Sequence, residues 1–303
     1  MNKCDEKKLA EDAIPLLRKM FGECLDFEAT EYHRSNETVT GIALKLPGCS
    51  NPPIICVENL PDNATAEEIA NIVASGFQTA LRNFRGFPSL PKITRENILE
   101  NVVLQALSRK RNRQLLRVHP HIRSLDLAGI FRIPIGQYKK DSLSTMLITN
   151  QIMEELGLTV EELTEAARKN TIAKFGVEFV NAQQMAFSSL LKQPWTPEPF
   201  DVVSMTAPGL YTLTNSIHIN GAALMLIPDI LEAIGEKAGM DYFLLPSSIH
   251  EVLIAKDDGR ITQQMAKELV YDGNRTEGII KPEDVLSDNV YFYSRKTKEL
   301  KIV

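Results

Sequence analysis

The chain reads as an α+β protein: a mixed β-sheet with packed helices, preceded by a small helix-hairpin-helix unit. Three observations point there. Apolar residues recur at helical spacing in several segments. Matched apolar runs, Phe243-Leu244-Leu245 and Val252-Leu253-Ile254, flank a polar turn as the strands of a hairpin do. A Gly-Phe-Pro-Ser-Leu-Pro break after Arg85 divides the chain into residues 1–86 and 92–303.

In the first segment, Leu9, Ala13, Leu16, Leu17 and Met20 make Lys7 to Phe21 a helix. Thr38 to Leu46 and Ile54 to Leu60 are strands joined by Pro-Gly-Cys-Ser-Asn-Pro-Pro, a turn-rich loop. Asp62 or Thr65 caps a second helix, with Glu67 and Glu68 in its first turn, running to about Phe84.

The second segment opens with Thr94 as the N-cap of a helix expected over Arg95 to Leu116, with an apolar stripe of Ile98, Val102 and Ala106 beside Leu99, Val103 and Leu107. Strands follow around Pro120, and Ser144 to Thr149 is another. Thr149 or Asn150 caps a helix ending near Gly157. Thr159 and Glu162 form a capping box for a helix from Val160 to about Asn170. Ala182 to Lys192 reads as a helix, and Trp195 sits in a proline-rich connection. Asp201 to Met205 and Leu210 to Asn215 are strand candidates. Pro228 suits the first turn of a helix that ends at Gly239.

Composition sets the function classes. Of 303 residues, 44% are hydrophobic and 24% charged, which is globular composition. No apolar run of transmembrane length exists, and acids occupy the start where a signal peptide needs an apolar stretch. A cytoplasmic protein without membrane contact is expected. Cys4, Cys24, Cys49 and Cys56 form no Cys-x-x-Cys pair, so free thiols are expected, although Cys49 and Cys56 could face each other across the hairpin. No glycine-rich phosphate loop is present, and no cofactor is expected.

The net charge is −5, unevenly spread. Between residues 85 and 123, nine Lys or Arg stand against Glu96 and Glu100. Between 150 and 240, five face eleven Asp or Glu. The cluster Arg109, Lys110, Arg111, Arg113 and Arg117 is either a set of cations at a helix C-terminus or a nucleic-acid contact. No aromatic residues interleave with these charges, so nucleic-acid binding is expected to be weak or absent. His119 and His121 would share one face of a strand and could pair on a metal. No third ligand stands at a diagnostic spacing, so imidazoles ordered by backbone contacts are the alternative.

The stretch from Pro246 to Glu251 carries the other candidates: Ser248, His250 and Glu251. One reading is a turn whose polar side chains serve the backbone. The other is a hydrolase-like site, which needs Ser248 and His250 in hydrogen-bond reach and an orienting acid from elsewhere. No Gly-x-Ser-x-Gly elbow surrounds Ser247 or Ser248, and Ile254 stands where a zincin needs its second histidine.

DYFLLPSSIHEVLIAKDDG at 241–259, KPEDVLSDNVYFYSRKTKEL at 281–300, YTLTN at 211–215 and RSLDLAG at 123–129 carry a resemblance. The chain resembles an uncharacterised bacterial family, domain-of-unknown-function family 5688. The resemblance implies a helical insert over 148–170 between strands, and an accessory role near mobile elements. A binding protein acting through protein contacts, without catalysis, is the leading expectation. The hydrolase-like enzyme and the nucleic-acid binder are the alternatives.

Overall fold

The computed structural model describes residues 3–22, 25–34, 36–45, 54–57, 61, 63–82, 93–135, 143–191, 197–246 and 248–303. The proline-rich break at 86–91, Trp195 and the thiols of Cys4, Cys24 and Cys49 lie outside what is described; Cys56 is a free, half-buried thiol. The chain divides into two compact units, 1–87 and 88–303.

In the first unit, helix α1 (Lys3–Phe21) precedes strands β1 (Asp26–Arg34), β2 (Glu37–Lys45) and β3 (Ile54–Val57), and helix α2 (Ala66–Arg82) follows. The strands pair antiparallel in chain order. β1 is an addition to the two strands read from sequence. Its register, Asp26 with Lys45 through Arg34 with Glu37, makes it the edge partner of β2. α2 starts at a capping box: the Thr65 hydroxyl accepts from the Glu68 N–H, and the Glu68 carboxylate accepts from Thr65 N–H at 2.8 Å. Ala13 and Leu17 of α1 meet Ile69, Val73 and Phe77 of α2 over Phe27 and Ile42 of the sheet.

The second unit corrects the long helix expected over 95–116. Helix α3 (Arg95–Asn101) ends after two turns, and strand β4 (Val103–Ser108) follows with all six residues buried. A strand covered on both faces shows a continuous apolar run, and periodicity alone cannot separate that from a buried helix. Arg109, Lys110, Arg111 and Arg113 therefore occupy a turn after a strand, and Arg117 a single helical turn that follows it, not the last turns of a long helix. A single helical turn α4 (Leu115–Val118), strand β5 (His121–Ser124) and strand β6 (Leu127–Pro134) complete this region with β7 (Thr145–Leu147). β4 takes one edge of β6, while β5 and β7 share the other.

Helices α5 (Asn150–Glu155) and α6 (Val160–Phe175) lie between β7 and β8 (Glu178–Asn181), with Thr149 and Thr159 as their N-caps. Helix α7 (Ala182–Leu190), strand β9 (Tyr211–Thr214), a 3₁₀ turn (Gly221–Leu226) and helix α8 (Pro228–Ala238) follow. The strand expected over 201–205 is turn structure instead. The hairpin of β10 (Tyr242–Leu245) and β11 (Val252–Lys256) precedes helix α9 (Gln263–Gly273) and strands β12 (Tyr291–Ser294) and β13 (Glu299–Ile302).

These build a six-stranded sheet, β13-β12-β10-β11-β9-β8. Every described pairing is antiparallel, so the sheet read as mixed resolves into antiparallel sheets. The main core joins Leu104 and Phe131 to Leu213, Leu244 and Ile254, with Leu163 of α6 and Ile234 of α8. β10 and β11 stand at the middle of the larger sheet, which fixes the turn between them.

Candidate functional site

Ser248 closes that turn. Its Oγ accepts from the backbone N–H of His250 at 3.0 Å and of Glu251 at 3.3 Å. The residue is buried, so both bonds serve groups that would otherwise lack partners. Ser247 lies outside the described residues. Two further segments clamp the turn. The Ile249 N–H donates to the Asp284 carbonyl at 2.8 Å, and the Ile249 carbonyl accepts from Ala222 N–H at 3.2 Å. The Thr214 hydroxyl donates to the His250 carbonyl at 2.9 Å.

The loop between β9 and the 3₁₀ turn reaches the same place by an unusual backbone. Asn215 is buried and holds it from inside: its Nδ2 donates to the Ile219 carbonyl at 2.8 Å, and its Oδ1 accepts from Ile219 N–H at 3.3 Å. His218 and Asn220 both sit at positive φ, 55° and 56°. Such backbone persists in a non-glycine residue only where its surroundings hold it. Gly221 then passes so near that a Cβ would lie 2.4 Å from the His250 carbonyl oxygen and 2.4 Å from Thr214 Oγ1.

This clamp engages both nitrogens of His250. Nδ1 accepts from the Asn220 N–H at 3.3 Å, which leaves the ring hydrogen of the neutral form on Nε2. Nε2 lies 3.4 Å from Asp284 Oδ1. The described hydrogen bonds of Ser248 run to the backbone, not to the His250 ring. Sequence spacing brings Ser248, His250 and Glu251 together, but it does not name Asp284, Asn220 or His218. A second imidazole–carboxylate pair stands close by, His218 Nε2 with Glu178 Oε2 at 3.2 Å. Glu251 feels both imidazoles. Burial pushes its carboxyl above the usual glutamate range, and His218 and His250 draw it partly back.

Ser248, His250, Glu251 and Asp284 open onto a cleft of about 870 Å³. Its far wall is α9 and the following turns, contributing Leu269, Ile279, Ile280 and Pro282. Arg275 is braced there: it pairs bidentately with Asp288 at 3.0 and 3.3 Å and stacks over the Tyr271 ring. Asn274 adds bonds to the Ser287 carbonyl and to Asp288, both at 2.9 Å.

The remaining sequence candidates lie elsewhere. His119 is buried, and its Nδ1 donates to the Ile148 carbonyl at 2.8 Å; burial pushes its pKa down. His121 Nδ1 donates to the His119 carbonyl at 3.0 Å. Among the described residues, no group of three His, Cys, Asp or Glu is placed to hold a metal. Arg109, Lys110, Arg113 and Arg117 line a separate cleft, whereas Arg111 donates to the Val285 carbonyl at 3.2 Å. No described helix is long and apolar enough to cross a membrane.

A family described as a family of unknown function (DUF5688) matches residues 8–295, and the chain belongs to it. No curated protein and no solved structure matches the chain.

Proposed function

We propose that this member of the family is a non-catalytic accessory protein of the cytoplasm that binds a protein partner in the cleft beside His250. One observation carries the reading. Leu269 and Ile279, which both line the cleft, remain 46% and 63% exposed. Apolar side chains lining a concave surface gain most when a partner covers them. Met265, one turn before Leu269 on α9 and 45% exposed, extends the apolar stripe, while Ala266 and Val270 face the core. The His250 geometry agrees, because an imidazole with both nitrogens engaged orders a turn and offers no free base. An extended peptide with one or two large apolar anchors fits such a cleft.

A photo-crosslinking side chain at position 269 or 279, in the native host, tests this. The expected result is one shared adduct from both positions and none from the exposed Val202. Adding Ile279→Asp to the position-269 probe should abolish it. An adduct pattern identical at position 202, or none at all, overturns the reading.

A second reading, a hydrolase-like enzyme, is favoured by Glu251 alone. A carboxyl raised by burial, flanked by two imidazoles and opening onto a cleft, is what acid–base chemistry uses. There Glu251 would exchange the proton, His250 would tune it, and Ser248 would hold the turn. Turnover of an ester, amide or phosphate substrate that Glu251→Gln lacks at an unchanged melting temperature would establish it in place of the first.

A further inference from the structure

The turn after β4 and the turn between β5 and β6 together form a second cleft, of about 540 Å³, that shares no lining residue with the one at His250. Four arginines and a lysine face it: Arg109, Lys110, Arg113, Arg117 and Arg123. His121 adds an imidazole, and Asp126 is the single acid on its wall.

That acid is committed elsewhere. The Asp126 carboxylate accepts from Ser287 Oγ at 2.7 Å, Asn289 Nδ2 at 3.0 Å and the Tyr291 hydroxyl. No described ion pair joins it to any cation of the cleft. The acid-rich stretch 150–240 supplies no lining residue either. Its described ion pair with the basic segment, Arg95 with Glu162, lies away from this cleft. Lys110, Arg113, Arg117 and Arg123 are exposed, and no described hydrogen bond or ion pair engages their side chains.

The cleft is also built in advance of any ligand. Asn112, buried, locks the first turn by donating to the Ser108 carbonyl at 2.8 Å. Arg109 ties the two turns together. Its backbone N–H donates to the Asp126 carbonyl at 2.9 Å, and its guanidinium to the Leu125 carbonyl at 2.7 Å. Leu125 sits at φ 55°, a conformation leucine rarely adopts, so the hairpin tip is held against its own preference. The His121 ring is fixed at the wall by its Nδ1, which donates to the His119 carbonyl.

Five like charges held in one concavity repel one another and lower the stability of the empty protein. A ligand of matching negative charge removes that repulsion. Guanidinium groups favour phosphate, which they bind in a fork. The volume is that of a small-molecule site. No aromatic side chain lines the cleft to stack a base, which argues against single-stranded nucleic acid. We propose that this cleft binds a small molecule carrying two or more phosphate groups. The proposal is independent of what the His250 cleft binds.

Calorimetric titration of the full chain with inorganic tripolyphosphate, beside melting curves at ionic strength matched with sodium chloride, tests it. The expected result is saturable one-to-one binding, at least about tenfold tighter than for orthophosphate, and a rise in melting temperature that sodium chloride does not reproduce. In the double variant Arg113→Gln, Arg117→Gln the affinity should fall at least about tenfold. Its ligand-free melting temperature should equal or exceed that of the wild type, because repulsion is relieved. Three outcomes would overturn the proposal: stabilisation no greater than sodium chloride gives, unchanged affinity in the double variant, or tighter binding of a 20-nucleotide strand than of tripolyphosphate, which would make the surface a nucleic-acid contact.

Discussion

Gly221 shows how little freedom a single residue has at the His250 turn. The atoms that a Cβ would strike are the His250 carbonyl and a hydroxyl bonded to it, neither at the end of a flexible chain. Gly221→Ala should therefore lower stability by about 3 kcal/mol, the upper part of the overpacking range, in a denaturant titration. Ser248→Ala removes an acceptor from two partly buried N–H groups and should lower it by about 1–2 kcal/mol. Two titrating groups shifted by burial give opposite pH signatures. Glu251 has a raised carboxyl pKa, so the fold favours its protonated form. That contribution is complete below the unfolded glutamate pKa, about 4.3, and is lost as pH rises through the raised value. Glu251→Gln should therefore gain stability relative to the wild type as the pH rises above about 4.3. His119 has a lowered pKa, so the fold favours the neutral ring. That contribution is complete above about pH 6.5 and is lost as pH falls through the depressed value. Melting curves from about pH 7.5 to 5 should fall less steeply for His119→Gln than for the wild type, and equal slopes would show that the ring is free to charge in place.

At the scale of elements, caps and apolar runs carry the fold. Thr159 and Glu162 satisfy the first turn of α6 reciprocally, at 3.2 and 3.0 Å, and Thr159→Ala should cost about 1 kcal/mol in the same titration. β11 has unequal faces. Ile254 is fully buried in the main core, whereas Leu253 is half-buried over α9, so Ile254→Ala should cost about 3 kcal/mol and Leu253→Ala about 1. Equal losses would mean that both faces are equally covered. What the sequence makes legible follows the same division. Capping boxes, Pro228 at a helix start and Gly239 at a helix end (φ 70°) act within a few residues, and the elements they bound stand where local chemistry puts them. β4 does not, because Val102 to Leu107 is apolar at every position but Gln105 and its strand character comes from being covered on both sides. β1 is polar and carries little apolar alternation, so only its pairing with β2 defines it. The site divides likewise. Ser248, His250 and Glu251 are adjacent in sequence and read as one turn. Asp284, Asn220 and His218 arrive from loops about thirty residues away, by clamps that no spacing announces.

At the scale of the whole molecule, each unit closes its own core. Among the described residues, the core of the first unit draws only on residues 9–77, and the core clusters of the second draw on nothing before Ile98. Apolar burial is the main favourable term in folding, and cooperativity follows contiguous packing. A lesion in one core should therefore stay in that unit. Phe77 is the test position: it is 1% exposed, and its ring packs against Phe27 with centroids 5.9 Å apart. Phe77→Ala should cost about 3–5 kcal/mol. Because a unit of this size has only a few kcal/mol to lose, that is enough to unfold most of it. Hydrogen exchange should then show amides of α1, β2 and α2 losing protection while those of β10 and β11, at the centre of the larger sheet, exchange as in the wild type. The reciprocal variant Ile254→Ala should leave the amides of β2 unchanged. Loss of protection in both units from either substitution would show that they unfold as one cooperative body, and the division of the chain at residue 87 would then describe contacts without describing stability.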